Sequence, residues 1–238
     1  PGGNPMTGPF YIEGAEPGDA LAVTIVRMTP TRADGWTRNS VAPNVVNPDR
    51  VRSMPDGSRV LWSIDHPTST VRLQNPDDRL KDFVLPLAPM IGCFGVAPAR
   101  GEAISTATSG PHGGNMDYRQ FGPGTTAYFP VAVPGALFHL GDGHAVQGCG
   151  EIVGTGVETS FEIEFTVNVR KGWTISWPRG ETQTDIFALG NARPLDQALQ
   201  HATTEMLDWM MTDYGFTAET ASHVLGQTVR YDVGNVFN

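Results

Sequence analysis

Residues 137–158 read LFHLGDGHAVQGCGEIVGTGVE, and residues 160–169, just after them, read SFEIEFTVNV. The second stretch decides the fold class. Phe161, Ile163, Phe165, Val167 and Val169 alternate with Glu162, Glu164, Thr166 and Asn168. That two-residue period belongs to a strand with one face in a core. The first stretch sets Asp142, His144, Gln147, Cys149 and Glu151 among Gly141, Gly143, Gly148 and Gly150. A backbone so rich in glycine bends sharply, and sharp bends can aim acceptor side chains at one point. Two readings compete: a metal-assisted hydrolytic site, and a pair of tight turns carrying ordinary solvent-facing acids.

Composition supports the strand reading. The 238 residues are enough for a sizeable core, and 28 glycines with 19 prolines suit a sheet protein with many turns. An apolar content of 39% argues against disorder. The formal charge of −9 offers no basic surface to a phosphate backbone, so nucleic acid is not an expected partner. No apolar run reaches transmembrane length, so no membrane partner is expected either. The first residues, PGGNPMTGPF, have neither the basic region nor the hydrophobic segment of a signal peptide, and a cytoplasmic location is the expectation. Cys93 and Cys149 are read as reduced thiols, because a chain of this length needs no staple.

Outward from the opening stretch, apolar runs bounded by turn signals predict strands over 20–28, 58–64, 69–73, 125–133 (interrupted at Pro130), 151–157 and 173–177. Residues 1–9 read as turn-formers and 44–55 as loop, while 184–189 is ambiguous. Residues 80–94, with Pro86 and Pro89, read as a buried extended segment that is not a central strand. From 194 to 214 the apolar spacing becomes helical, and Thr217 is placed to cap a second helix over 218–225. The expected architecture is mainly β: one domain over 1–238 with a β-sandwich-like body and helices near the C-terminus, not alternating βαβ units.

The chemistry-bearing residues fall in two clusters. Asp142 and His144 are two apart, and Glu151 follows seven residues on; two carboxylates and an imidazole suit a divalent ion such as zinc. The bland alternative is turn acids and a satisfied core histidine. Upstream, GPHGGNMD at 110–117 adds His112, Asn115 and Asp117 as further ligands, orienting partners or oxyanion donors. His66 reads as a surface turn residue, and Cys149 as a weak nucleophile candidate beside His144. Trp36 and Trp62 are candidate pocket walls, and Trp173, Trp177 and Trp209 core residues. Dinucleotide, Walker, serine-hydrolase and HExxH motifs are all missing.

NPMTGPFYIEGAEPGD at 4–19, PMIGCFGVAP at 89–98, GPHGGNMD at 110–117 and FPVAVPGALFHLGDGHAVQGCGE at 129–151 together resemble the acetamidase/formamidase family, in the family's order. The resemblance implies a β-rich, sandwich-like fold and hydrolysis of short linear amides such as formamide and acetamide to carboxylate and ammonia. It also implies a divalent metal ion, commonly zinc, and a homo-oligomer. The family's polar residues map onto His112, Asn115, Asp117, Asp142, His144, Gln147 and Glu151. In that mapping Asp117, Asp142 and His144 hold the metal and Glu151 is the general base. If Glu151 is itself a ligand, Asp117 takes the base role. His112, or the amides of Gly113 and Gly114, would steady the oxyanion, with Asn115 and Gln147 in the catalytic set. Glu158 would orient a ligand or close the pocket.

Two features depart from the family. Cys149 stands where the family usually has aspartate, and the chain starts almost at the NPMTGP string, where the family has several dozen residues before it. An N-terminal section is therefore expected to be missing, with a separate N-terminal fragment as a conceivable partner. Two alternatives follow: a β-sandwich binding module without catalysis, and a hydrolase of cyclic amides at the same site.

Overall fold

The computed structural model describes residues 3–237, so Pro1, Gly2 and Asn238, which fall in the first and last predicted segments, lie outside the described residues. Three antiparallel sheets carry the chain. The first has the order β1 (Met6–Phe10), β11 (Phe138–His144), β7 (Met90–Gly95), β9 (Gly113–Asn115), β8 (Ser109–Gly110). The second has the order β12 (Phe161–Arg170), β2 (Ala20–Pro30), β10 (Thr126–Pro130), β13 (Arg179–Glu181), β14 (Ile186–Ala188). The third has the order β3 (Asp34–Arg38), β4 (Arg59–Asp65), β5 (Thr70–Leu73), β6 (Val84–Pro86). A single helical turn, α1 (Pro48–Val51), lies in the predicted 44–55 loop, and two longer helices, α2 (Leu195–Asp213) and α3 (Ala218–Thr228), close the chain. The fold is mainly β and sandwich-like with helices near the C-terminus, as expected.

The alternation in β12 has the predicted consequence. Phe161, Ile163, Phe165 and Val169 pack against the main core, while Val167 is left exposed. That core lies between the first two sheets: Leu21, Val23, Ile25, Ala127 and Phe129 come from the second, and Ile91, Phe94, Phe138 and Leu140 from the first. The Phe94 ring meets Phe121 and Phe129 edge-on at 4.9 and 5.2 Å. Burying each such side chain contributes about 1.5–3 kcal/mol. β2 contains one extra residue. Glu164 pairs with Arg27 and Phe165 with Ile25, so Val26 is skipped. The inward positions then change from odd (Leu21, Val23, Ile25) to even (Met28), which leaves Val26 and Arg27 exposed in succession.

The start of β2 is buried on both faces, because α2 covers the far side of the second sheet. Ala20 and Ala22 are small enough to let the helix approach, and Trp209 and Met206 pack there with Tyr128, Ile175 and Trp173. Thr217 caps α3 as predicted, accepting from the Thr220 amide at 3.1 Å while Thr220 Oγ1 accepts from the Thr217 amide at 2.9 Å.

Several local expectations are corrected. Met6–Phe10 is an edge strand, where turn-formers were expected; its ladder partner β11 is supplied from far along the chain. Met90–Gly95 is a central strand, wholly buried between β11 and β9. Pro86 sits in the edge strand β6 and Pro89 precedes β7, so neither proline removes a bond from a central ladder. Leu80, Phe83 and Val84 are exposed instead of buried. Residues 151–157 form no ladder strand: Glu151 ends a short 3-10 turn, and Gly156 lies against the His144 ring. Residues 173–177 form no strand either; the ladder resumes at Arg179. The ambiguous 184–189 stretch contains β14. Trp62 is buried in a third core with Ile64, Val71, Ala145 and Val157, so it is not a pocket wall.

Candidate active site

The two polar clusters meet because β7 runs between the strands that carry them. β11 pairs with β7, placing Gly141 opposite Cys93, Gly143 opposite Ile91 and His144 opposite Met90. β9 pairs with the other edge of β7, with Asn115 opposite Cys93. The amides of Met116 and Asp117 then both bond to the Gly92 carbonyl, at 3.0 and 3.1 Å. Gly92 therefore lies between two acids. A Cβ there would collide with Asp117 Oδ1 and come within 2.8 Å of Asp142 Oδ2, so the carboxylates converge only because this residue has no side chain. Gly156 does the same for His144, whose ring fills the space a Cβ would take. Cys93 is buried beside them, and burial together with Asp142 and Asp117 pushes its thiol up.

Asp117 is fully buried, and its Oδ2 accepts from the side-chain amides of Asn115 and Asn235. Asp142 Oδ2 accepts from Asn4 Nδ2 at 2.8 Å, and Asn4 also donates to Asn115 Oδ1 at 2.5 Å. His144 Nε2 lies 3.1 Å from Glu158 Oε1 and 3.5 Å from Asp142 Oδ1, without the alignment of a hydrogen bond. Glu151 Oε2 accepts from Asn235 at 3.2 Å, and Glu158 Oε1 from the Gly156 amide at 3.1 Å. The backbone is held against its preference here. Seven described non-glycine residues have left-handed φ, and three are the acids Asp117 (44°), Asp142 (62°) and Glu151 (46°). Such strain persists only where surrounding structure enforces it, and it concentrates at functional sites.

Four carboxyl groups surround one imidazole, and among the described residues no lysine or arginine pairs with them. Burial pushes Glu151 up to about 9, with the Asp117 charge adding to it. Burial also raises Asp117, to about 6, partly opposed by His144, and raises Glu158. For His144, burial pulls downward, but Glu158 and Asp142 outweigh it and hold the imidazole well above its ordinary value. The cluster is thus short of positive charge.

One ligand atom from each of Asp117, Asp142 and His144 lies within 4.8 Å of the others, and so does one from each of His144, Glu151 and Glu158. Among the described residues, Asp117 Oδ1 and His144 Nε2 are buried without a hydrogen-bond partner. Buried unsatisfied acceptors are costly unless something binds them. Gln147 sets the imidazole. Its Nε2 donates to the Asp117 carbonyl at 2.5 Å, so its Oε1 is the atom 2.7 Å from His144 Nδ1. Nδ1 must then carry a proton, so Nε2 is the nitrogen that exchanges the second one, and it offers a lone pair only where a cation displaces that proton. Oxygen, oxygen and imidazole nitrogen are donors that zinc accepts, so these residues fit a divalent ion.

Not every predicted residue joins the cluster. His112 is buried at the other end of β9, near Gly110 and Gly114, with Nδ1 unpartnered. Burial and the neighbouring His139 lower it. Cys149 is an exposed free thiol, and both cysteines are unpaired with one another. His66 is an exposed turn residue, with Nε2 3.1 Å from the Arg32 carbonyl. Gly92, Asn4 and Asn235 were not singled out from the sequence. The first two lie inside strings quoted above, and Asn235 sits in a tail with no periodicity to mark it. A cavity of about 820 Å³ opens onto Asp142 and Glu158, walled by Phe10, Trp36, Leu140 and Phe161.

Fold and site together define an antiparallel β protein with a buried carboxylate–imidazole cluster that could hold a cation. The sequence profile of the Acetamidase/Formamidase family matches residues 2–105 and 99–199, and the chain belongs to that family. It is 27% identical over 243 residues to the acetamidase of Mycolicibacterium smegmatis, covering 80% of this chain and 59% of that protein. The crystal structure of an acetamidase from Yersinia enterocolitica superposes with a TM-score of 0.86 at 33% identity, over 98% of this chain and 69% of that one. That of the Bacillus halodurans acetamidase gives 0.85 at 35% identity, over 98% and 74%. The chain spans about half to six-tenths of the length of the curated relatives it matches. Among the described residues no helix is long and apolar enough to cross a membrane.

Proposed function

We propose that the protein hydrolyses short linear amides, formamide and acetamide among them, to carboxylate and ammonia at the Asp117–Asp142–His144 cluster. The observation that carries this reading is the pair of buried polar atoms without a partner among the described residues, Asp117 Oδ1 and His144 Nε2, converging with Asp142 around Gly92. Asp117, Asp142 and His144 would hold a divalent ion, zinc by its donor set; when bound, such an ion polarises a carbonyl and acidifies a water. Gln147 fixes the His144 tautomer, and Asn115 fixes Asp117.

Glu151 is the general base in this reading. It takes the proton of the attacking water as oxygen adds to the amide carbon, and returns it to the leaving nitrogen as the C–N bond breaks. Its carboxyl is raised by burial and by Asp117; beside a bound cation it would be drawn back down, leaving it free to take that proton and hold it between the two steps. His112 lies at the far end of β9 from Asp117, and the oxyanion would be steadied by it or by the amides of Gly113 and Gly114 beside it. The cavity beside Asp142 and Glu158 would admit the amide.

The test is ammonia release from formamide and acetamide by purified protein of known zinc content. Turnover that follows zinc occupancy is the expected result. Full occupancy with no ammonia from either amide would remove the linear-amide reading and return the cyclic-amide and non-catalytic alternatives.

A further inference from the structure

Asn235 touches both halves of the cluster. Its Nδ2 donates to Asp117 Oδ2 and, at 3.2 Å, to Glu151 Oε2. Its orientation is fixed from behind, because Oδ1 accepts from the Phe237 amide at 2.6 Å. With the oxygen committed there, the two N–H bonds must face the carboxylates. The segment that carries it is strapped to the glycine turn around Glu151. The Gly150 amide donates to the Val233 carbonyl at 2.6 Å, the Val236 amide to the Gly150 carbonyl at 2.9 Å, and Asn44 Nδ2 to the Val236 carbonyl at 2.6 Å. The Phe237 ring lies against Gly154.

We infer that Asn235 is a positioning residue for the ion site. One side-chain amide, delivered by the C-terminal strap, spaces Asp117 from Glu151 and turns the unpartnered Oδ1 of Asp117 towards Asp142 and His144. The inference rests on the functional reading above. Asp117 and Glu151 are both negative when ionised; a donor shared between them reduces that repulsion and holds each carboxylate in one rotamer. Without it, Asp117 keeps only the Asn115 donor on Oδ2, and Glu151 loses the donor that ties it to Asp117.

The experiment is a zinc titration of the intact protein by competition with a chromophoric chelator, comparing wild type with Asn235→Ala. Removal of an outer partner of a metal ligand typically weakens binding about 10–100-fold, and that loss is the expected result. Wild-type affinity in a folded Asn235→Ala protein would overturn the inference and leave the functional reading standing. If wild type itself takes up no zinc, both fall together. Should Asn235→Ala not fold, Asn235→Gln keeps both donors and the acceptor but sets them one methylene out of place. It is expected to bind zinc about tenfold more weakly, and unchanged affinity there would also overturn the inference.

Discussion

Two of the places where the protein buries charge lie on opposite sides of its second sheet, and the two are built differently. Arg179 and Glu205, both nearly inaccessible, meet at 2.6 Å. Glu205 Oε2 also accepts from the amides of Ser176 and Trp177, and the guanidinium lies over the rings of Trp173 and Trp209 at 5.0 and 5.1 Å. Its charges cancel, and among the described residues Arg179 Nη1 is its one fully buried side-chain atom without a partner. The acid cluster has four carboxyl groups against one imidazole, leaves two buried polar atoms without a partner among the described residues and strains three backbones. A balanced pair that fixes α2 to the sheet is structure. An unbalanced cluster, held in place by glycines and amides, makes sense through what it binds.

The sharpest way to separate the two is to neutralise one acid in each. Glu151→Gln removes the proposed base while keeping shape, so under the proposed function the zinc-loaded protein is expected to lose about 10²–10⁴-fold in turnover with its fold and ion content retained. Normal turnover would withdraw the base assignment. Glu205→Ala strands Arg179 in an apolar pocket and should cost about 3–5 kcal/mol in denaturant unfolding. Turnover per folded molecule should stay at the wild-type level, and a selective loss of activity would break the contrast between the two regions.

Gly92→Ala tests the cradle, because its Cβ displaces Asp117 or Asp142 without changing any charge. Zinc affinity is expected to fall by about 10–100-fold. Retained affinity would mean that the carboxylates do not need to converge there.

The smallest and most diagnostic effect is on pH dependence. Without a cation, Glu151 and Asp117 bind protons up to about pH 9 and 6, whereas in the unfolded chain such carboxyls ionise near about 4. Between those limits the folded form holds more protons than the unfolded form, so stability falls as pH rises. The raised imidazole of His144 acts in the same direction. Chelator-treated protein should therefore melt at lower temperature at pH 8 than at pH 6, and zinc should flatten that slope. An unchanged slope on adding zinc would show that the ion does not sit among these acids.

How much of this was legible in the chain differs by residue. Phe161, Ile163 and Phe165 announced their strand, and Leu195–Asp213 its helix, because side-chain period is a local property. The bulge at Val26 was not legible, since it depends on the register of a partner strand. Met90–Gly95 was misjudged from two prolines whose ladder positions only the sheet order reveals. Asp142 and His144 were placed together by spacing. Their meeting with Asp117 was implied by family resemblance, and Gly92 supplies the physical reason for it. Asn235 carried no local signal at all, because its partners lie 84 and 118 residues away.

The sequence by itself determined the mainly β character, the C-terminal helices, the glycine turns and the stock of acids and histidines, since all of these follow from local periodicity and residue chemistry. Tertiary structure decided which acids share one buried space, that His112 stands apart from them, and that a tail residue ties Asp117 to Glu151. Those outcomes depend on β7 lying between β9 and β11, and strand order is set by the packing of the whole core, which no local stretch encodes.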